Sequence, residues 1–174
     1  MIGDVRLLNT GQLLELRRRL RAAGGPRLQQ NFARRIRHAA EPLRDDLQQT
    51  IRNLPISGQG RGTGKRGGPS PTTRPLRATI AQAIRISVRT GANPGARVWI
   101  DKGLLPPDLR NMPKVINEGP PPGRIRHPVF GNKRRWANQS VPPFWWDNTV
   151  RRHTPRMRAE VERITNDVRR FLGG

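Results

Sequence analysis

The sequence contains no cysteine, few aromatic residues and no long apolar run. Without cysteine there is neither a disulfide scaffold nor a thiolate metal site, so stability must come from packing or assembly. No apolar stretch reaches the roughly 18 residues that a membrane span requires, and the N-terminal residues lack a signal-peptide core. We therefore expect a protein that is neither secreted nor membrane-spanning, synthesised in the cytoplasm.

Acidic residues are also scarce. The 12 Asp and Glu stand against 34 Lys and Arg, which gives a net charge of +22. Such an excess favours an anionic partner, either a nucleic acid or an acidic protein surface. Nearly all the basic residues are Arg, since Lys occurs only at Lys65, Lys102, Lys114 and Lys133. The Arg excess fits planar recognition of phosphate, and it also fits a GC-rich coding sequence.

Helical periodicity dominates the first third and the last fifth of the chain. A short helix is predicted over about 10–23, and a longer one over 28–54, where apolar residues recur at steps of three and four. Pro42 is expected to kink or split the longer helix, because proline removes a backbone donor. A C-terminal helical segment is predicted over 143–172. Pro155 indicates either that the helix begins at Thr154, which we favour, or that it kinks.

Residues 55–75 contain six Gly, four Pro and no acidic residue. This composition predicts a long mobile loop, because it offers too little apolar surface to order itself. Arg61, Lys65 and Arg66 are candidate contacts to an anionic partner that would order the loop; the alternative is a loop that stays mobile everywhere. A phosphate-binding loop is excluded, since the motif needs Gly at Gln59 and Ser or Thr at Arg66.

The β signals lie between the loop and the C-terminal helix. Alternation of apolar and basic residues predicts an antiparallel hairpin over 84–90 and 96–101, and further short strands over 124–130 and 134–139. Short helices are predicted after Pro75 and around 113–117. We expect an α+β fold in a single domain of residues 1–174, with about four strands in one small antiparallel sheet against a long N-terminal and a C-terminal helix.

No constellation of reactive side chains emerges from the sequence. His38, His127 and His153 are scattered without metal-ligand spacing, and His127 has neither a thiol nor a nucleophile elbow to serve. We favour a His127 that fixes the turn before Pro128 through backbone hydrogen bonding. The prediction is a protein that is not an enzyme and that has no cofactor and no metal.

The aromatic residues cluster late in the chain, as Trp136 and then Phe144, Trp145 and Trp146. Beside so many Arg residues they suit a stacking platform for single-stranded bases. We favour the alternative that they form a small core or a subunit interface, because they lie where the predicted sheet meets the last helix.

Three segments together resemble a known family. The runs LRNMPKVINEG (109–119), RIRHPVFGNKRRWANQ (124–139) and PPFWWDNTV (142–150) resemble the gene-product-ten-like tail-component family of long-tailed double-stranded DNA phages, most closely its actinophage members. Ile125 replaces a Trp of the family signature and Trp146 a Phe. Both departures keep apolar bulk.

The resemblance implies a non-enzymatic virion protein of the head-tail neck, assembled in the host cytoplasm. It would join head to tail or complete the tail as a homo-oligomeric ring, with a hexamer as the expected form. Its partners would be neighbouring proteins of the stopper or adaptor and tail-terminator types, and the genomic DNA in the channel. The resemblance assigns fold and assembly roles to His127, Pro128, Phe130, Gly131, Trp136, Phe144, Trp145 and Trp146.

One alternative accommodates the same composition, namely a basic nucleic-acid-binding protein of ribosomal or nucleoid type. Such a binder should associate with DNA as an isolated subunit and with a steep salt dependence, whereas a ring subunit depends chiefly on protein contacts. The salt dependence of DNA affinity therefore separates the two hypotheses.

Overall fold

The structure, a computed structural model, describes residues 4–7, 15, 18, 22, 26–58, 76–89, 95–119, 121–129 and 132–173. In chain order its elements are β1 (Asp4–Leu7), α1 (Pro26–Asn53), β2 (Ser57–Gly58), α2 (Leu76–Gln82), β3 (Ile84–Arg89), β4 (Gly95–Ile100), α3 (Met112–Glu118), β5 (Arg124–Val129), β6 (Asn132–Ser140) and α4 (Trp145–Gly173). Over these ranges no helix has an apolar stretch long enough to cross a bilayer.

The chain divides into two compact units. The first unit contains Gln48–Ala83 and Asp101–Asn148, and the second contains Gly3–Leu47, Ile84–Ile100 and Thr149–Gly174. Because the chain passes repeatedly from one unit to the other, neither unit is a single stretch of sequence. The expectation of one domain over 1–174 stays a prediction.

Helix α1 confirms the long N-terminal helix. It begins at Pro26, a residue suited to the first helical position because the nitrogen there has no intrahelical acceptor. The predicted apolar stripe is buried, with Phe32, Ile36, Ala39, Ala40, Leu43, Leu47 and Ile51 all at most 9% exposed. Pro42 lies inside an unbroken helix, so the expectation that it splits the helix is wrong. Burial on both sides of Pro42 offsets the hydrogen bond that proline removes.

Helix α4 confirms the C-terminal helix but not its expected start. It runs from Trp145 to Gly173 with Pro155 inside, so the prediction that it begins at Thr154 is wrong. Pro155 itself is exposed, whereas Thr149 and Met157 on either side of it are buried. The apolar face continues through the proline, and its burial holds both halves in one helix.

The second unit contains the first predicted hairpin. Strands β3 and β4 pair antiparallel, with Ile84 opposite Ile100 and Ile86 opposite Val98. Strand β1 pairs with the other edge of β4, so the strand order is β1-β4-β3. Ile84, Val98 and Ile100 are buried while Arg85 is exposed, which confirms one apolar and one basic face.

The first unit contains the other predicted hairpin, formed by β5 and β6. The two-residue strand β2 pairs with β6, so the order is β2-β6-β5. Strand β2 lies inside the segment predicted as loop. The fold is α+β as expected, but its strands form two small antiparallel sheets, each built on one hairpin, rather than one sheet of about four strands. Helices α2 and α3 confirm the two short helical segments.

In the second unit α1 and α4 are joined by ion pairs. Arg35 on α1 donates to Asp167 on α4, and Nε2 of His153 on α4 lies 2.8 Å from Oδ2 of Asp46 on α1. Residues later in α1 therefore contact residues earlier in α4. The two helices are antiparallel in this unit.

The Arg35–Asp167 pair predicts a pH-dependent contribution to stability. The hydrogen bond from Arg35 holds the pKa of Asp167 below its usual 3.8. A lowered pKa stabilises the fold above the unfolded value, and this stabilisation is lost as the pH falls through the folded value. We expect Asp167→Asn to lower the free energy of unfolding at pH 7, with a difference from the parent protein that shrinks below pH 3.8. Urea unfolding across pH measures it.

Glu162→Gln is the matched control, since Glu162 is an exposed carboxylate on the same helix. An effect of Asp167→Asn that persists undiminished under acid conditions would contradict this assignment. Because the pair is solvent-exposed, added salt should also narrow the difference.

Candidate functional site

The segment that carries the family resemblance, 109–150, contains the start of α4. Phe144 precedes the helix with a φ of 58°, a left-handed conformation that is uncommon for a residue with a side chain. Phe144 has no side-chain oxygen to cap the helix, although the first amide groups of any helix lack intrahelical acceptors. The helix therefore needs acceptors from elsewhere in the fold.

Asn117, at the end of α3, supplies them. Its backbone oxygen accepts the Phe144 N–H at 2.9 Å, and its side-chain Oδ1 accepts the Trp146 N–H at 3.0 Å. The remaining amide group, Nδ2, donates to Oδ2 of Asp147 at 2.6 Å. Asn117 is fully buried, with an exposed fraction of 0%. It thus acts as the helix cap from a distant element, and Asp147 adds a favourable negative charge in the first turn.

Two glycines shape the path from α3 into the β5–β6 hairpin. A Cβ on Gly119 would lie 2.5 Å from the Val115 carbonyl oxygen, so no side chain fits there. Gly123 has a φ of 84°, and its carbonyl oxygen accepts the Val141 N–H at 2.9 Å. Both features require glycine, for space in one case and for backbone conformation in the other. They bring α3 back toward the end of β6.

The aromatic residues divide into a buried and an exposed pair. Trp145 and Trp146 are 3% and 2% exposed, and their rings meet edge to face with centroids 5.7 Å apart. Trp136 and Phe144 are 47% and 42% exposed. Trp145 and Trp146 therefore lie in a core, whereas for Trp136 and Phe144 the subunit interface stays a prediction. An exposed Trp and an exposed Phe are surface features available to a partner.

His127 and Pro128 lie in β5, opposite Ala137 and Trp136 of β6. Strand β5 is at the edge of its sheet, the position where a proline is tolerated because it needs no amide donor. The register shifts between Pro128 and Val129, which marks a bulge beside the hairpin end. These residues therefore lie next to a strand irregularity, and the assembly role that the resemblance implies for them stays a prediction.

The predicted site residues Phe130, Gly131, Arg61, Lys65 and Arg66 lie outside the described residues. The structure thus brings together His127, Pro128 and Trp136 on one hairpin. It places Phe144, Trp145 and Trp146 at the start of α4 in the same unit.

One surface of the β5–β6 hairpin combines positive charge with an exposed aromatic ring. We call it the Arg–Trp face, and it consists of Arg124, Arg126, Trp136 and Asn138, all exposed. The register pairs Arg126 with Asn138, which puts Trp136 diagonally across from Arg126. Cζ of Arg126 lies 4.8 Å from the centroid of the Trp136 ring, a cation–π arrangement.

The histidines of the two long helices pair with carboxylates. Nδ1 of His38 lies 2.7 Å from Glu41, and His153 contacts Asp46, as described above. In the described part of the chain, no group of three or more His, Asp and Glu side chains converges to hold a metal ion. Both pairs are contacts between single imidazole and carboxylate groups.

Sequence reasoning did not identify Asn117 and Asp147 as partners. The available signal was indirect: Phe144 stands where a helix start normally has Ser, Thr, Asp or Asn, so the cap has to come from elsewhere. Nothing local points to Asn117, because it is 29 residues from the amide that it caps.

No family model, no curated protein and no solved structure matches the chain.

Proposed function

We propose that the protein is a structural subunit of the head-tail neck of a long-tailed double-stranded DNA phage. In this proposal it joins the filled head to the tail or completes the tail, as a homo-oligomeric ring around the DNA channel. The supporting observation is that the segment resembling the phage family, 109–150, is tied together by Asn117, which fastens the start of α4 to α3.

The polar groups of this segment form hydrogen bonds within the fold, as expected of a structural protein. The side-chain oxygen of Asn117 accepts a hydrogen bond from a backbone amide, and its nitrogen donates one to Asp147. Both hydrogen bonds hold elements of the fold in place. The glycines at 119 and 123 likewise serve the chain path. A subunit that must present a defined surface to its neighbours needs such rigid support, because interfaces require shape complementarity.

The positive charge of the Arg–Trp face supports an anionic partner for this subunit. The Arg–Trp face has two Arg residues, and the sequence has no acidic residue between Glu118 and Asp147. Either an acidic surface on a neighbouring neck protein or the DNA in the channel would complement it.

A nonsense codon early in the gene tests the proposal in the phage that encodes the chain. We expect infection of a non-suppressing host to yield filled heads and separate tails, visible by electron microscopy. Infection of a suppressing host should restore joined particles that contain the chain at the neck. Infectious particles of normal morphology without the chain would refute the neck assignment.

A basic nucleic-acid-binding protein is the second candidate, and the Arg126–Trp136 arrangement favours it specifically. An exposed aromatic ring beside Arg is suited to stacking on bases. High-affinity, sequence-selective DNA binding by the isolated subunit would favour this candidate over the neck. Weak binding without sequence preference is compatible with a ring subunit.

A further inference from the structure

We infer that the Arg–Trp face binds the phosphodiester backbone of a nucleic acid. The inference does not rest on the neck assignment, since it concerns a surface of the isolated chain. It names the ligand of one hairpin face, and four independent features of that face lead to it.

The first feature is uncompensated charge. Arg124 and Arg126 are both exposed, and neither pairs with a carboxylate among the described residues. By contrast, the Arg residues at 35, 163 and 170 on the long helices all pair with acidic side chains. The sequence has no acidic residue between Glu118 and Asp147, so the hairpin itself offers no carboxylate to Arg124 and Arg126, and an external anion would complement their charge.

The second feature is the orientation of Arg126. Cζ of Arg126 lies 4.8 Å from the centroid of the Trp136 ring, so the guanidinium group is held against the indole. This contact restricts the side chain without a carboxylate partner, and a guanidinium group can bond phosphate oxygens in bidentate fashion. Arg126 is thereby held ready for an anion with a planar pair of acceptors.

The third feature is spacing. Arg124 and Arg126 occupy alternate positions of β5 and face the same side of the sheet. Two residues of a strand span about 6.6–6.8 Å. Two stacked nucleotides of one strand rise by about 6.8 Å, at about 3.4 Å each. The two guanidinium groups can therefore follow consecutive parts of one phosphodiester chain, which a single small anion would not require.

The fourth feature is the exposed indole. Trp136 is 47% exposed and lies beside Arg126, so it presents an aromatic surface on which a base can stack. A nucleic acid offers anionic phosphates to the Arg residues and flat apolar bases or sugars to the ring, whereas an acidic peptide offers only the charge. The same face of a second copy is a poor fit, because it would bring Arg residues against Arg residues.

The test uses the purified full chain and a labelled oligonucleotide, single-stranded in one arm and duplex in the other. Fluorescence anisotropy at several salt concentrations gives the affinity and its salt dependence. For the double variant Arg124→Ala with Arg126→Ala, we expect weaker binding. The slope of log affinity against log salt should become shallower by about 1.8 for duplex or about 1.4 for single strands, because two phosphate contacts are lost.

The matched control is the double variant Arg85→Ala with Arg89→Ala, which removes the same charge from exposed positions on β3. It should change the slope of log affinity against log salt less than the double variant on β5 does. Equal changes in the two double variants would show that binding follows net charge alone and would overturn the assignment to this face.

Trp136→Ala distinguishes the two forms of nucleic acid. Stacking on an unpaired base is worth about 1–3 kcal/mol, so single-stranded binding should weaken roughly 5- to 150-fold, with partial recovery in Trp136→Phe. Paired bases are not available to stack, so duplex binding should change much less. If Trp136→Ala weakens binding to the single-stranded oligonucleotide only, the ligand is single-stranded. If the Arg substitutions weaken binding but Trp136→Ala does not, the ligand is duplex.

Two further outcomes would overturn the inference. One is the absence of binding at low salt, and the other is an acidic polypeptide that competes as well as the oligonucleotide, which would make the partner a protein. Neither outcome bears on the neck assignment, because that is decided by particle morphology. Circular dichroism of each variant confirms that these exposed substitutions leave the fold intact.

Discussion

Replacing Trp146 by alanine is expected to lower the free energy of unfolding by about 3–5 kcal/mol, the usual cost of truncating a buried Trp. Trp146 is 2% exposed and packs edge to face against Trp145. The substitution leaves a cavity where α4 begins and removes the aromatic contact. Since domains are stable by only about 5–15 kcal/mol, this single change would remove a large fraction of that stability. Urea unfolding followed by circular dichroism measures the loss.

Trp136→Ala is the matched control. Its ring is 47% exposed, so its removal should cost less than about 1 kcal/mol, mainly through the lost contact with Arg126. Equal destabilisation by the two substitutions would contradict the division into buried and exposed aromatics. In the proposed phage, Trp146→Ala should produce filled heads and separate tails because the subunit itself is unstable.

Asn117→Ala is expected to destabilise the fold by about 3 kcal/mol, through loss of the cap on α4. The substitution leaves the Trp146 N–H without its acceptor and removes the donor to Asp147, in a position that is fully buried. A buried amide that loses its partner costs about 1–3 kcal/mol, and a hydrogen bond to a charged group contributes about 1.5–3. The midpoint and slope of urea unfolding report the change.

Asn111→Ala serves as the control for this substitution. Asn111 precedes α3, the helix that contains Asn117, and it is exposed and makes no side-chain cap hydrogen bond, so we expect a change within about 0.5 kcal/mol. A small effect of Asn117→Ala, comparable with that of Asn111→Ala, would show that Asn117 does not support α4. The double variant Asn117→Ala with Asp147→Ala should destabilise by less than the sum of the single changes, because both residues belong to one network.

Hydrophobic periodicity by itself determined the two long helices and the two hairpins. The stripe from Phe32 to Ile51 repeats every three or four residues, and the residues that it predicts as buried are buried. The alternation in Ile84–Arg89 likewise predicts which side of β3 faces solvent. Such patterns are local, since each element is specified by residues within a few positions of one another.

The preference of proline for the first helical position did not predict where α4 begins. Pro155 suits a first helical position, and by that rule α4 would begin at Thr154. In the structure the helix continues through Pro155, because residues on either side of it share one buried face. The free energy of burying that face outweighs one missing hydrogen bond, and the size of this term depends on tertiary packing.

Composition and pattern determined the helices, the hairpins, the basic charge and the segment that resembles the phage family. Only the tertiary structure decided that the hairpins belong to two sheets, that Trp136 is exposed while Trp146 is buried, and that Asn117 caps α4. Each of these depends on contacts between residues far apart in the chain, such as the 30 positions that separate Asn117 from Asp147. Sequence periodicity does not predict such a contact, because the partner of a side chain depends on how the elements pack and not on its neighbours in sequence.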